Sequence, residues 1–87
     1  MTHQELINEI SNRLVKAYDP LEIYLIGQED WEMDGDIEDI DLKIIVQSSI
    51  DEKPEDRSRA GFEALEDLPG EKFILVFTKA EFDEMER

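Results

Sequence analysis

Residues 39–46 read Asp39-Ile40-Asp41-Leu42-Lys43-Ile44-Ile45-Val46, and this pattern predicts the central strand of the protein. Polar and apolar residues alternate at first, and the last three are all apolar. Alternation is typical of a strand with one face in the core, and an unbroken apolar run is typical of a strand covered on both faces. Asp39 and Asp41 therefore project together on the side away from the core.

The sequence before this strand predicts a helix and a first strand. Thr2 and Glu5 form a capping-box pair ahead of a helical apolar spacing, so the helix should run from about residue 3 to residue 18. Asp19-Pro20 breaks it, because proline disfavours a helical residue before it. Residues 23–26 then form a short strand that ends at Gly27, and the acidic residues 28–38 form a loop.

The sequence after the central strand predicts a helix, a third strand and a last helix. Pro54 is placed at the first position of the second helix, which Gly70 should end. Residues 73–77 are all apolar and form the third strand, and Thr78 with Glu81 makes a second capping box. The apolar face of the second helix should comprise Ala60, Phe62, Ala64, Leu65 and Leu68.

These elements predict one α/β (α+β) domain over residues 1–87, in the order α-β-β-α-β-α. The second and third strands flank a helix, so they should be parallel and joined by a right-handed crossover. The first strand should pair antiparallel to the second. The result is a small three-stranded mixed sheet with helices packed on it, and Tyr24 and Phe62 are expected in its core.

Composition limits the classes of function. The formal net charge of -15 repels phosphate backbones and anionic lipid, so neither a nucleic acid nor a membrane is an expected partner. There are no cysteines for disulfides or a thiolate zinc site, and no signal peptide or spanning segment is seen, so the expected location is cytoplasmic. So small a domain buries only about 60% of its unfolded surface, which favours a protein partner or a homo-oligomer.

Asp39 and Asp41 are the candidate catalytic and metal-binding residues. Two residues apart on one strand face, their carboxylates stand about 7 Å apart. That spacing suits one or two Mg²⁺ ions in a phosphoryl-transfer site. In so acidic a chain the alternative, a solvated strand face, stays open.

Beyond the carboxylate pair, the chain resembles the minimal nucleotidyltransferases, small relatives of the polymerase-beta superfamily. Their signature is a strand that ends in Gly-Ser, about ten variable residues, and Asp-apolar-Asp-apolar at the start of the next strand. Here the corresponding residues are Leu25-Ile26-Gly27-Gln28 and, ten residues later, Asp39-Ile40-Asp41-Leu42. The family's third strand and following Thr-Pro-Glu-Glu-Phe are similar to residues 73–82 here, so the resemblance covers almost the whole chain.

The resemblance implies the nucleotidyltransferase fold and the transfer of a nucleoside monophosphate from an NTP, with ATP the expected one, to a hydroxyl or protein acceptor. Asp39 and Asp41 would bind Mg²⁺ or Mn²⁺, and Gly27 and Gln28 would lie against the triphosphate. Many such proteins act as antitoxins that pair with an all-helical protein of the HEPN type.

Three departures from the family pattern leave the activity open. Gln28 replaces the serine, and the stretch Glu29-Asp30-Trp31-Glu32 replaces one in which relatives usually carry arginine and glycine. Phe73 falls where the family carries a third aspartate, so that only another strand register would let Glu71 serve. The chain is therefore either an enzyme or a catalytically degenerate binding module, antitoxin-like, with a basic or helical partner. A third possibility is that it is one part of a larger transferase.

Overall fold

The computed structural model describes residues 2–26, 39–49 and 53–85, which form three helices and three strands in the predicted order. The helices are α1 (His3–Tyr18), α2 (Pro54–Leu65) and α3 (Lys79–Met85), and the strands are β1 (Glu22–Ile26), β2 (Asp39–Val46) and β3 (Glu71–Thr78). In the sheet β2 is central, antiparallel to β1 and parallel to β3. The predicted α+β class and mixed three-stranded sheet are confirmed.

The main core lies on one side of the sheet, beneath α1 and α2. The alternate residues of β2 that point to this side are all buried, as the sequence pattern predicted. They pack with the apolar stripe of α1 and the end of α2. The cluster consists of Leu6, Ile10, Leu14, Ile40, Leu42, Ile44, Val46, Leu65, Leu68, Ile74 and Val76.

Local hydrogen bonds explain where two helices begin and where α1 ends. The Glu5 N–H donates to Thr2 Oγ1 (3.1 Å) at the start of α1. The second capping box is reciprocal, since Thr78 N–H donates to Glu81 Oε1 (2.8 Å) and Glu81 N–H donates to Thr78 Oγ1 (3.3 Å). Asp19 ends α1 in the left-handed region, with φ of 48° and its N–H bonded to the Val15 carbonyl. Both predicted capping boxes therefore mark real helix starts.

The predicted end of α2 at Gly70 is wrong, because the helix stops at Leu65. Pro69 gives the reason. In a continued helix its ring would meet the carbonyl four residues earlier, that of Leu65, and it has no N–H to donate. Gly70 instead stands in the turn before β3, with φ of 93°, a conformation that favours glycine.

Side chains of α1 and α3 hold α2 in place. The Tyr18 hydroxyl donates to the Arg57 carbonyl (2.5 Å) and accepts from the Gly61 N–H (2.7 Å). Arg57 is buried and donates to the Val76 carbonyl (3.3 Å) and to Glu81 Oε1 (2.6 Å). The hydroxyl and the guanidinium thus join α2 to the other two helices and to β3.

Phe62 is 41% exposed, so its predicted place in the core is wrong. The cause is the orientation of α2 about its own axis. Gly61, next to it, is the residue that faces the core, and a Cβ there would lie only 3.0 Å from Tyr18 Oη and 3.1 Å from Ile74 Cδ1. The close approach at Gly61 fixes which side of α2 turns inward. Phe62 is displaced by about 100° around the helix axis.

Candidate functional site

The second side of the sheet, called here the open face, carries the predicted site. Strand register arranges its side chains in four rows that cross the sheet from β1 to β3. The rows are Asp39 and Glu71; then Ile26, Asp41 and Phe73; then Tyr24, Lys43 and Leu75; and then Glu22, Ile45 and Phe77. Asp39 and Glu71 therefore occupy one end of the face, called the acidic end, Glu22 lies in the row at the other end, and apolar residues flank Asp41 and Lys43 in the two rows between.

Asp39 and Asp41 lie on the open face as predicted. They are the first and third residues of β2, and the intervening Ile40 is fully buried in the core. Asp39 is exposed and Asp41 is half-buried. At the rise of an extended strand their Cα atoms are about 7 Å apart, so the two residues lie near each other on the same face of the sheet.

The register also shows what stands beside the pair on β3. Phe73 is the partner of Asp41, and Glu71 is the partner of Asp39. Adjacent strands are about 4.8 Å apart. Phe73 therefore occupies the position next to Asp41 at which the family resemblance would call for a third aspartate. Strand β3 begins at Glu71 rather than at the predicted residue 73, and this places Glu71 at the acidic end of the face.

Lys43 is the basic residue of the open face and follows Asp41 by two positions. Its Nζ lies 6.0 Å from the ring centroid of Phe77 and 6.0 Å from that of Phe82. This range allows cation–π attraction. The two rings thus stabilise the ammonium group on the side of the face away from the acidic row.

Carboxylate oxygens are the ligands that Mg²⁺ and Mn²⁺ prefer, so the donors at Asp39 and Asp41 fit these ions in kind. Within residues 2–26, 39–49 and 53–85, however, no group of three or more acidic, histidine or cysteine side chains is close enough to hold a metal ion. Two carboxylates leave most of the coordination positions of Mg²⁺ to water or to a ligand such as a triphosphate. The binding of Mg²⁺ or Mn²⁺ by Asp39 and Asp41 stays a prediction.

Two predicted site residues, Gly27 and Gln28, lie outside the described residues. The same holds for the acidic residues 28–38 that were predicted to form a loop. The predicted contact of Gly27 and Gln28 with a triphosphate stays a prediction.

The exposed apolar part of the open face was missed by the sequence analysis. Ile26, Phe73 and Leu75 are 50%, 49% and 52% exposed, and Tyr24, predicted in the core, is exposed as well. The signal was the run Phe73-Ile74-Leu75-Val76-Phe77, in which both strand faces are apolar. Such a run indicates a strand covered on both sides, yet within the described residues only one end of this face has a cover.

That cover is α3. The Phe82 ring stacks on Tyr24, with centroids 6.0 Å apart, and Ile45 in the last row is 1% exposed. Beside α3 lies an open groove of about 400 Å³, lined by Tyr24, Ile26, Lys43 and Phe82. The helix thus lies over the centre of the end opposite Asp39, where Ile45 is buried, and leaves the rows nearer Asp39 accessible.

Comparison with known proteins gives no family assignment. No family model matches the chain, and no significant match was found among curated proteins or among solved structures. The resemblance to nucleotidyltransferases therefore rests on the chain's own residues. Among its described helices, none has the length and apolar character needed to cross a bilayer.

Proposed function

We propose that this chain is a nucleotidyltransferase-like protein in which Asp39 and Asp41 hold Mg²⁺ or Mn²⁺ together with an NTP, ATP being the expected one. The observation that supports the proposal is the shared exposed face of the two carboxylates at the start of the central strand. In such a site the metal supplies charge stabilisation for transfer of the nucleoside monophosphate to a hydroxyl or protein acceptor. The two aspartates hold and orient it.

The side chains around the pair limit what else the chain contributes. Phe73 cannot accept a proton, so the position beside Asp41 supplies no general base. Glu71 is the carboxylate that the register places beside Asp39. With this register Glu71 is not at the position beside Asp41, so β3 supplies no carboxylate there.

Metal titration tests this proposal. Mn²⁺ binding followed by electron paramagnetic resonance should show one weak site that Asp39→Asn/Asp41→Asn abolishes. The matched control is Asp19→Asn/Asp56→Asn, which removes the same number of negative charges elsewhere; asparagine also suits the left-handed conformation of Asp19. If both double variants bind Mn²⁺ like the parent, the carboxylate pair is not the metal site.

Phe73 supports a second candidate function, a catalytically degenerate binding module. A half-exposed aromatic ring beside Asp41 gives a surface suited to a protein partner rather than to a triphosphate. This is the antitoxin-like role with a basic or helical partner. Incubation with labelled ATP and Mg²⁺ separates the two candidates, because transfer of label to the chain or to an added acceptor requires catalysis and the binding module predicts none.

A further inference from the structure

The two accessible rows of the open face each carry an apolar residue on β1 and on β3, with a charged residue of β2 between them. Ile26 and Phe73 flank Asp41 in one row, and Tyr24 and Leu75 flank Lys43 in the next. All four of these apolar side chains are at least 40% exposed. Exposed apolar side chains that alternate with charged ones are typical of a surface that binds an amphipathic partner.

Helix α3 shows how this face accepts a cover. Its Phe82 ring lies against Tyr24 and within cation–π distance of Lys43, and Ile45, at the centre of the last row, is buried. The groove beside Phe82 continues this packing toward Ile26. A second helix laid next to α3 would cover the remaining rows in the same way.

The charge of the face selects the kind of helix. Asp41 lies between the exposed Ile26 and Phe73, and Asp39 and Glu71 form the row beyond them, so in these two rows three carboxylates outnumber the ammonium of Lys43 in the next one. A second copy of this chain would bring a net charge of -15 and the same acidic row against them, which costs free energy of association. A cationic partner gains free energy from the same groups.

We propose that the open face binds a cationic amphipathic helix of another protein, alongside α3. Apolar side chains of that helix pack on Ile26, Phe73 and Leu75, and its lysine or arginine residues lie against Asp41 and Glu71. The inference deepens the second candidate function by naming the surface and the chemistry of its partner. It follows the mode in which an amphipathic helix lies in an apolar groove.

A pair of synthetic peptides tests the proposal. One is an amphipathic helix of about 18 residues, five turns, built from leucine and lysine; the other has glutamate in place of every lysine. Fluorescence anisotropy should show that the lysine peptide binds and the glutamate peptide does not. Backbone amide shifts of the ¹⁵N-labelled protein should change along β2, β3 and α3 when the lysine peptide is added.

Two leucines of similar exposure supply the matched variants. Leu75→Ser should lower the affinity for the lysine peptide about tenfold or more, because the contact that buries Leu75 in the complex is lost. Leu21→Ser, at a residue 48% exposed outside the rows of the open face, should leave the affinity unchanged. Phe73→Ser provides a second open-face variant, and circular dichroism confirms that each variant is folded.

Four results would overturn the proposal. One such result is an equal loss of affinity in Leu75→Ser and Leu21→Ser, and another is a set of amide shifts confined to α1 and α2. Either would mean that the cationic helix binds elsewhere on the protein. The binding-module function could then still hold, but the open face would not be its binding surface. A dimer in sedimentation that Leu75→Ser dissociates would assign the face to a second copy. If the lysine peptide does not bind at all, both the proposed surface and the role with a basic partner are wrong. The proposed metal site is tested separately, because Mn²⁺ binding at Asp39 and Asp41 does not depend on Leu75.

Discussion

Asp41 and Phe73 are register partners on parallel strands, so a carboxylate and an aromatic ring stand side by side on the open face of the sheet. Phe73 is 49% exposed, so about half of its surface is already in contact with solvent. An aspartate introduced there would have its backbone about 5 Å from that of Asp41. The position can therefore be used to change the charge of the site with little risk to the fold.

Phe73→Asp should tighten Mn²⁺ binding by at least about tenfold, since affinity for a divalent cation grows with the number of carboxylates that face it. The melting temperature of the variant should fall without metal and recover when Mn²⁺ is added, because an ion that binds only the folded state stabilises it. Titration followed by electron paramagnetic resonance and thermal melts measures both effects.

Phe62→Asp is the control for this prediction, because it makes the same substitution at another half-exposed phenylalanine, on α2. It should leave Mn²⁺ affinity unchanged. Comparable tightening in both variants would mean that general charge, and not the place beside Asp41, determines affinity.

The element order was predictable because its signals are local. The two capping boxes, the Asp19-Pro20 break and the period of residues 39–46 each act within a few residues. Pro69 is an equally local signal for the end of α2. The prediction from Gly70 instead placed that end five residues too late. The site residues Asp39 and Asp41 were likewise placed on one face by strand alternation alone.

Other features depend on contacts between distant parts of the chain. The register that pairs Asp39 with Glu71 joins β2 to β3. These two strands are separated in the sequence by α2. The exposure of Phe62 follows from the approach of Tyr18 to Gly61, 43 residues apart. Periodicity identifies an apolar side chain but does not show whether a neighbour reaches it, which is why the exposure of Tyr24 was missed too.

Glu81 should make stability depend on pH in the acid range. Hydrogen bonds from Arg57 and from the Thr78 N–H lower the pKa of Glu81 from 4.5 to about 2. A carboxyl with a lowered folded-state pKa contributes stability that is fully present above its unfolded pKa and is lost as the pH falls through the folded one. The contribution should therefore disappear between about pH 4.5 and pH 2.

Glu81→Gln should be less stable than the parent at pH 7 and approach it as the pH falls toward 2, because glutamine keeps one acceptor oxygen and has no charge to lose. Glu84→Gln, at an exposed residue of the same helix, is the control. Its free energy of unfolding should change with pH in the same way as that of the parent. Urea unfolding at several pH values measures the differences. A gap between Glu81→Gln and the parent that stays constant with pH would contradict the role given to the Arg57–Glu81 pair.

Salt should stabilise the protein. A net charge of -15 on 87 residues causes self-repulsion in the compact state, and ions screen it over about 10 Å at 0.1 M. Thermal melts from about 10 to about 300 mM NaCl with a chelator present should show a melting temperature that rises by several degrees, since about 1 kcal/mol corresponds to about 4–8 °C in a domain of this size.

Glu63→Gln/Glu66→Gln, on and just after α2, should raise the melting temperature at low salt and flatten its dependence on NaCl. The double variant removes two exposed carboxylates from the same repulsive field. A melting temperature that falls with NaCl in the parent would show that attractive ion pairs, such as the one between Arg13 and Glu9, outweigh the repulsion.

Gly61→Ala should destabilise the protein although it adds a good helix former inside α2. The helical preference of alanine over glycine contributes about 0.5–1 kcal/mol in its favour. Against it, the new Cβ would lie 3.0 Å from Tyr18 Oη and 3.1 Å from Ile74 Cδ1, and overpacking of this kind costs about 1–3 kcal/mol. Ile74 can rotate its terminal methyl, whereas Tyr18 is held by hydrogen bonds to Arg57 and Gly61. We expect a net loss of about 1 kcal/mol in the free energy of unfolding.

A double-mutant cycle with Tyr18→Phe identifies the cause. Tyr18→Phe alone should cost about 1 kcal/mol, the usual contribution of such hydrogen bonds, and it also removes the oxygen that the new Cβ would approach. In the double variant Gly61→Ala should therefore cost less than in the parent, and the two losses should not add. Urea unfolding of the four proteins gives the coupling energy. Strictly additive losses would place the strain at Ile74 instead, and a stabilised Gly61→Ala would mean that α2 shifts away from Tyr18 without cost.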